Sequence, residues 1–478
     1  MKKYFGLVFI VLLLFVNSAC VRNTFIKENL KTFQEFRLSN GIPVVVKVTG
    51  QSRIRSLVLT LAGGKALVPP EKAGLDKVAF RLMAMESKQF SDVERRALLK
   101  RTSASIGAGD GLDYATYSLK TIDAYFDETF RLYADLLMNP VFPEAFFKEI
   151  MTNMANAYRG KLTDGYARVS LALNSDFFSG HPYYAHLENP ATLENISLSD
   201  VKQYYREHIV ASGMQLFAVG DYDIDTLRHK LESTFGTLPA GKPVGRTTPF
   251  LTLPQESPLI IDPCESLNPD VSYVRGNFST IAVTHADYWA VRLAIAIVSD
   301  LLSDIVRTKN SLVYSVWAHI YGKKANYGAL SAYRTSDPVK LIELMRQAVD
   351  IAASGRCVSP WNDQGSADQY VPIAQALEFY KASFATGFYS GLQTNGSIAA
   401  QMANSRIMTG DYTAYLRVME NIGRVTAEDV ARVVRTCIKE ASVQWAVSAH
   451  PETVETLKKH SGAYAPTYKI VNLDGGRQ

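Results

Sequence analysis

Eight histidines and four cysteines carry most of the chemistry open to this chain of 478 residues, and their placement narrows it sharply. No histidine precedes His181, so the first 180 residues offer no imidazole. His181 and His186 are five apart, which puts them on different faces of a helix. His208, His229, His285, His319, His450 and His460 have no companion at a metal-ligand interval. No two cysteines stand at CxxC spacing, no GxSxG elbow occurs, and no cysteine sits beside a histidine in a protease-like setting. Gly107, Gly109 and Gly111 lead into a strand-like stretch at Asp113–Tyr117 and not into a helix, so no phosphate-binding dipole forms there. Serine and cysteine hydrolase centres and nucleotide loops are thereby excluded.

The elements that must position whatever remains belong to an ordinary globular protein. Hydrophobic residues make up 47% and charged residues 20%, a balance that buries a large core over two to four domains. The net charge of +5 is scattered, so nucleic acid is not an expected partner. Lys2 and Lys3 precede twelve apolar residues, Phe5 to Val16, short of the roughly 20 that a spanning helix needs. The run ends in Val16-Asn17-Ser18-Ala19-Cys20, which resembles the lipobox of bacterial lipoproteins, although Asn17 stands where an aliphatic residue is usual. Residues 1–19 are therefore expected to be a signal peptide and Cys20 the lipidated residue. The expected location is the periplasmic side of the bacterial cell envelope, anchored in a membrane through Cys20 or secreted. Val21 in place of Asp favours the outer membrane. Of the other cysteines, Cys264, Cys357 and Cys437, an odd number, at least one is unpaired or joins another chain, and buried inert thiols are the simplest expectation.

Pro239, Pro243, Pro249, Pro254 and Pro258 mark residues 239–258 as an extended linker between two halves, 33–238 and 259–470. In the first half, Ile42–Val48, Ser56–Leu61 and Tyr114–Leu119 read as strands. Gly74–Glu86, Ala124–Asn139 and Glu144–Tyr158 read as helices. The second half opens with a strand at Val271–Gly276. Helices follow at Asp287–Arg307 and Asp337–Ala353, with a strand at Ser311–Ile320 between them. The fold class is α+β, with two similar α/β-sandwich halves.

Leu38-Ser-Asn-Gly-Ile-Pro-Val44, Gly74-Leu75, Asp113-Tyr114-Ala-Thr-Tyr117, His181-Pro-Tyr183, Gly220-Asp-Tyr-Asp223 and Arg307-Thr-Lys-Asn-Ser-Leu-Val-Tyr314 follow one another in this order. In order and spacing the chain resembles the insulinase/pitrilysin family of zinc metallopeptidases, in particular its two-domain bacterial members and the mitochondrial processing peptidase subunits. The resemblance implies a clamshell of two sandwich halves and, two residues after Gly-Leu, the zinc signature HxxEH. Here those positions hold Lys77, Val78, Ala79, Phe80 and Arg81. An ammonium and a guanidinium have no lone pair for a metal, and Phe80 cannot take a proton from water. The family's third ligand falls on Asn156, seven residues after a retained Glu149. No zinc is expected in this chain. The other reading of Gly74–Glu86 is an amphipathic helix with Lys77 and Arg81 on a solvated face.

The resemblance also implies that an Arg and a Tyr seven residues apart hold substrate near zinc, and Arg307 and Tyr314 match that spacing. A guanidinium fork and a phenol can stabilise a peptide carbonyl as it gains charge. Otherwise Arg307 pairs with a carboxylate and Tyr314 alternates with Leu312 and Val316 on a buried strand face. In the family, the region around Gly107–Gly111 borders an edge strand that adds substrate backbone to the sheet. The expected function is a non-catalytic, substrate-positioning subunit of a heteromeric peptidase, acting on a peptide substrate with an HxxEH-bearing partner that supplies the zinc. The alternative is a peptide-binding or structural envelope lipoprotein without a proteolytic role.

Overall fold

A computed structural model describes residues 26–474 apart from 51, 243–247, 254–255, 362–369, 461, 463–464 and 466. The signal segment and Cys20 lie outside the described residues, as does part of the 239–258 linker.

Two six-stranded sheets carry the molecule. The first joins β1 (Phe33–Arg37), β2 (Pro43–Val48), β3 (Ile54–Ala62), β4 (Ser105–Asp110), β5 (Tyr114–Ile122) and β6 (Met214–Gly220) in the order β1-β2-β6-β3-β5-β4. The second joins β7 (Leu259–Pro263), β8 (Ser272–Ser279), β9 (Ser315–Ile320), β10 (Tyr327–Thr335), β13 (Val443–Ala449) and β14 (Tyr468–Ile470) in the order β14-β7-β13-β8-β10-β9. A short ribbon, β11 (Arg356–Val358) with β12 (Tyr370–Pro372), stands apart. In both sheets one internal pair is parallel, β2 with β6 and β7 with β13, and the strands from there to β4 or β9 are antiparallel. Five strands of each half thus repeat one topology, with β4 and β9 as corresponding edges; the sixth differs, β1 lying antiparallel to β2 and β14 parallel to β7.

The principal helices are α1 (Leu75–Met83), α2 (Phe126–Met138), α3 (Glu144–Thr163), α4 (Gly165–Phe177), α5 (Leu198–His208), α6 (Tyr288–Leu302), α7 (Pro338–Ala353), α8 (Ile373–Ser390), α9 (Asn395–Thr409) and α10 (Ala427–Val434). One face of each sheet is covered by helices of its own half. The other face is covered by a helix from the opposite half. Ala399, Met402 and Ala403 of α9 pack on Val45, Val58, Phe217 and Val219 of the first sheet. Val169, Ala172 and Leu173 of α4 pack on Ile260, Tyr273 and Ala446 of the second. Burial on both faces is why β6 and β13 are near-continuous apolar runs without alternation.

The two exchanges differ in chemistry. Under α9 the contact is mainly apolar. Under α4 it is threaded with polar groups: Arg168 forks onto Asp262 at 2.7 and 2.9 Å, Arg275 donates to Tyr166 and Ser170, and Asn277 donates to Asn174. Each donor there has a defined acceptor, so the interface is geometrically specific.

The strand expected at Ser311–Ile320 begins only at Ser315, because Ser311 adopts a left-handed φ of 50° that strand geometry forbids. The helix expected to reach Arg307 is α-helical to Leu302 and continues as a π-helical turn, Ser303–Lys309. The described parts of 239–258 dock along the protein: Pro249 O accepts from His181 Nε2, and Leu251 joins an aromatic cluster with Phe178, Tyr183 and Tyr327.

Candidate functional site

α1 begins at Gly74, whose φ of 101° suits glycine and whose missing side chain admits Glu188, Leu193 and Met154 within 3.1–3.2 Å of where a Cβ would stand. That close approach brings the segment before residues 190–194 against the helix. Lys77 donates to Glu188 Oε1 at 2.7 Å, and Lys161 of α3 stands 3.6 Å from the same oxygen. Lys77 is therefore not on a solvated face as the amphipathic reading has it. It is tied to a carboxylate 111 residues away in sequence that is 7% exposed. Arg81 is exposed, in keeping with that reading. Burial pushes the Glu188 carboxyl up, but the ammonium of Lys77, helped by Lys161 and Lys65, outweighs it and holds the group below the usual carboxylate range.

Phe80 is 4% exposed and meets Tyr204 of α5 edge-on, so the position of the family's general base is core. Asn156 is exposed and accepts from Arg159 at 2.9 Å; Glu149 is exposed on the same helix. Beside α1, buried Lys65 donates to Asp76 at 3.3 Å and Asp110 at 2.7 Å. A divalent cation at Lys77, Phe80, Arg81 and Asn156 would meet two cations, a benzyl ring and a neutral amide. These residues do not fit zinc. Among the described residues no three His, Cys, Asp or Glu side chains form a metal-holding group.

His181 and His186 are both held by backbone contacts. His181 donates from Nε2 to Pro249 O and accepts at Nδ1 from Tyr183 N, and burial holds His186 down to about 4. The Tyr183 hydroxyl donates to Asp113, which also accepts from Lys324 N at 3.1 Å, while Ala325 N donates to Tyr183 Oη at 3.2 Å. The His-Pro-Tyr and Asp-Tyr motifs thus clamp the β9–β10 turn of the second half onto the first. Gly107 and Gly109 lie on β4, an edge strand.

The Arg307 guanidinium lies 4.9 Å from the centroid of the Tyr314 ring, and Tyr314 is 80% exposed. The alternative of a carboxylate-paired arginine and a buried tyrosine is overturned: Tyr314 precedes β9, and among the described residues Arg307 has no carboxylate partner. The pair sits where the π-helical turn ends. Ser311 N donates to Arg307 O and Leu312 N to Val306 O, both at 3.0 Å, which folds the chain back. Asp304, buried, accepts from Lys309 at 3.1 Å and from the Tyr370 hydroxyl at 2.8 Å, pinning the turn to β12. Sequence reading missed Asp304, Tyr370 and Glu188. Only the Asp304–Lys309 spacing lies close enough in the chain to have signalled a link. Among the described residues no hydrogen bond or ion pair joins the Arg307–Tyr314 pair to α1.

In this fold of two sandwich halves, the positions that the resemblance assigns to zinc hold no metal ligands. Residues 195–356, a stretch that contains Arg307 and Tyr314 but not α1, match the family described as Peptidase M16 inactive domain. A curated relative, Non-peptidase homolog YmxG of Helicobacter pylori, is 24% identical over 212 residues, which is 44% of this chain and 49% of the relative; the match spans about half of that protein. A crystal structure of a peptidase M16 inactive domain from Pseudomonas fluorescens superposes with a TM-score of 0.76 at 17% identity, covering 87% of this chain and 98% of that one. The periplasmic protease PqqL from Escherichia coli superposes at 0.72 and 14% identity, covering 88% of this chain but 45% of that one. Over residues 195–356 and in its fold, the chain is similar to M16 inactive-domain proteins, in keeping with the insulinase/pitrilysin resemblance.

Proposed function

We propose that this chain is the substrate-positioning subunit of a two-protein peptidase, whose other subunit is an HxxEH-bearing chain of the same family. The carrying observation is the Arg307–Tyr314 stack: exposed, free of a carboxylate partner among the described residues, and held on a turn braced by Asp304, Lys309 and Tyr370. Unpaired donors on a braced turn are arranged to meet a ligand, and a peptide carbonyl matches a guanidinium fork beside a phenol. The partner supplies the zinc and the water it activates; Arg307 and Tyr314 orient the peptide. The match to less than half of PqqL favours the same view, because that longer protease has room for a second unit of this size. In this reading Cys20 carries lipid and holds the assembly at the periplasmic side of the envelope.

The test is affinity capture from native membranes, followed by reconstitution with whichever HxxEH chain co-elutes. Peptide cleavage that stops with chelator, and falls about 10- to 100-fold with Arg307→Ala, supports the proposal. Cleavage indifferent to Arg307→Ala, or no such chain recovered, favours the non-proteolytic envelope role.

A further inference from the structure

Behind the clamp between the halves, α6, α8 and α9 enclose a cavity of about 200 Å³. Its apolar walls include Trp289, Phe384, Phe388 and Met408. No Asp or Glu lines it. The Arg292 guanidinium lies over the Phe384 ring at 5.1 Å and, among the described residues, has no carboxylate partner. Asn404 uses its carbonyl oxygen to accept from Tyr114 at 3.3 Å, which leaves its NH₂ as the available end.

A guanidinium without a carboxylate partner, set in a largely aromatic wall, calls for an acceptor that carries negative charge. An inorganic anion would satisfy the donors but leave the aromatic walls against water. A neutral apolar molecule would fill the walls and leave the donors unpaired. We propose that this cavity binds a small free carboxylic acid with an aromatic or branched apolar body. Its carboxylate pairs with Arg292, while the ring or branch lies among Trp289, Phe384 and Phe388. The volume admits one ring or a short branched chain. The occupant touches α6, α8 and α9, all of the second half, and α9 in turn roofs the first sheet. This site is independent of the peptidase-subunit reading.

Trp289 in the wall makes the test direct. The full chain is titrated with phenylacetate and with isovalerate, followed by tryptophan fluorescence and calorimetry, with phenylacetamide as the isosteric neutral control. Expected are saturable binding of the acids, a roughly 10- to 100-fold weaker phenylacetamide, and a similar loss for Arg292→Gln, the range for a hydrogen bond to a charged group. Trp289→Phe should remove the fluorescence change and keep the heat. Equal affinity for phenylacetate and phenylacetamide, or neither heat nor fluorescence change with both acids at millimolar concentration, overturns the proposal. The acid-against-amide comparison on the unmodified protein decides the matter even if Arg292→Gln fails to fold.

Discussion

Lys77 Nζ stands 2.7 Å from Glu188 Oε1, so the first position of the lost zinc signature now holds the cation of an internal ion pair. The pair ties α1 to the segment ahead of residues 190–194. Lys77→Met removes the nearer counter-ion and leaves Glu188 with Lys161 at 3.6 Å. The expected loss of stability is about 1–3 kcal/mol, measured by urea unfolding at pH 7. Phe80→Glu, which places a carboxylate at a site 4% exposed, should cost more.

The same pair predicts a pH dependence. Glu188 titrates below its usual range in the folded protein, so its contribution is present above the unfolded-state value and is lost as pH falls through the lowered one. The stability gap between the natural protein and Lys77→Met should therefore be largest near neutrality and close progressively below about pH 4.5, the ordinary glutamate range. Asp76, whose carboxyl burial pushes upward, is common to both proteins and cancels in the difference. A gap that stays constant to pH 3 would show that the pair carries no linkage.

Arg307→Ala and Tyr314→Phe should leave the fold alone. The stacked pair is exposed, and a cation–π contact at such a site is worth about 0.5–1 kcal/mol. Denaturation midpoints within that range, alongside a large fall in reconstituted cleavage, would separate a substrate contact from a structural one.

Asp262 is fully buried and takes two hydrogen bonds from Arg168 and one from Ser448. Arg168→Met strands that carboxylate and should destabilise the protein by about 3–5 kcal/mol. Arg168→Met combined with Asp262→Val should recover most of the loss, as read in denaturant titrations of the single and double variants.

Each sheet depends on a helix from the opposite half. Residues 26–238 and 259–474 produced as separate chains should each expose an apolar sheet face, bind a hydrophobic dye and aggregate. Co-production of the two should restore soluble protein. Either fragment folding cooperatively alone would contradict the exchange of α4 and α9.

Much of this architecture could be read from local periodicity. The strands at Ile42–Val48 and Tyr114–Leu119 and the helix at Asp337–Ala353 announce themselves by spacing 2 or 3.6, because nearest neighbours in sequence decide those patterns. The exposure of Tyr314 could not be read, since neither the left-handed Ser311 nor the backbone bonds that fold Ser311 and Leu312 onto the π-helical turn are marked in the local pattern. Nor could the partner of Lys77, because Glu188 meets it only after α3, α4 and a 3-10 turn have intervened. The absence of zinc ligands, by contrast, was legible from side-chain chemistry alone. The cavity around Arg292 was invisible, since its walls come from three helices spread over more than a hundred residues.

The crossed helices also set a timetable for biosynthesis. Strand β6 ends at Gly220, but the roof of its sheet ends at Thr409, 189 residues later. At the usual pace of translation, about 5–20 residues per second, Val45, Val58, Phe217 and Val219 would wait roughly 10–40 s for their cover. A nascent chain in that condition is a client for a holding chaperone, and deleting such a factor should lower the yield of this protein more than that of one whose sheets are closed by the helices that immediately follow them.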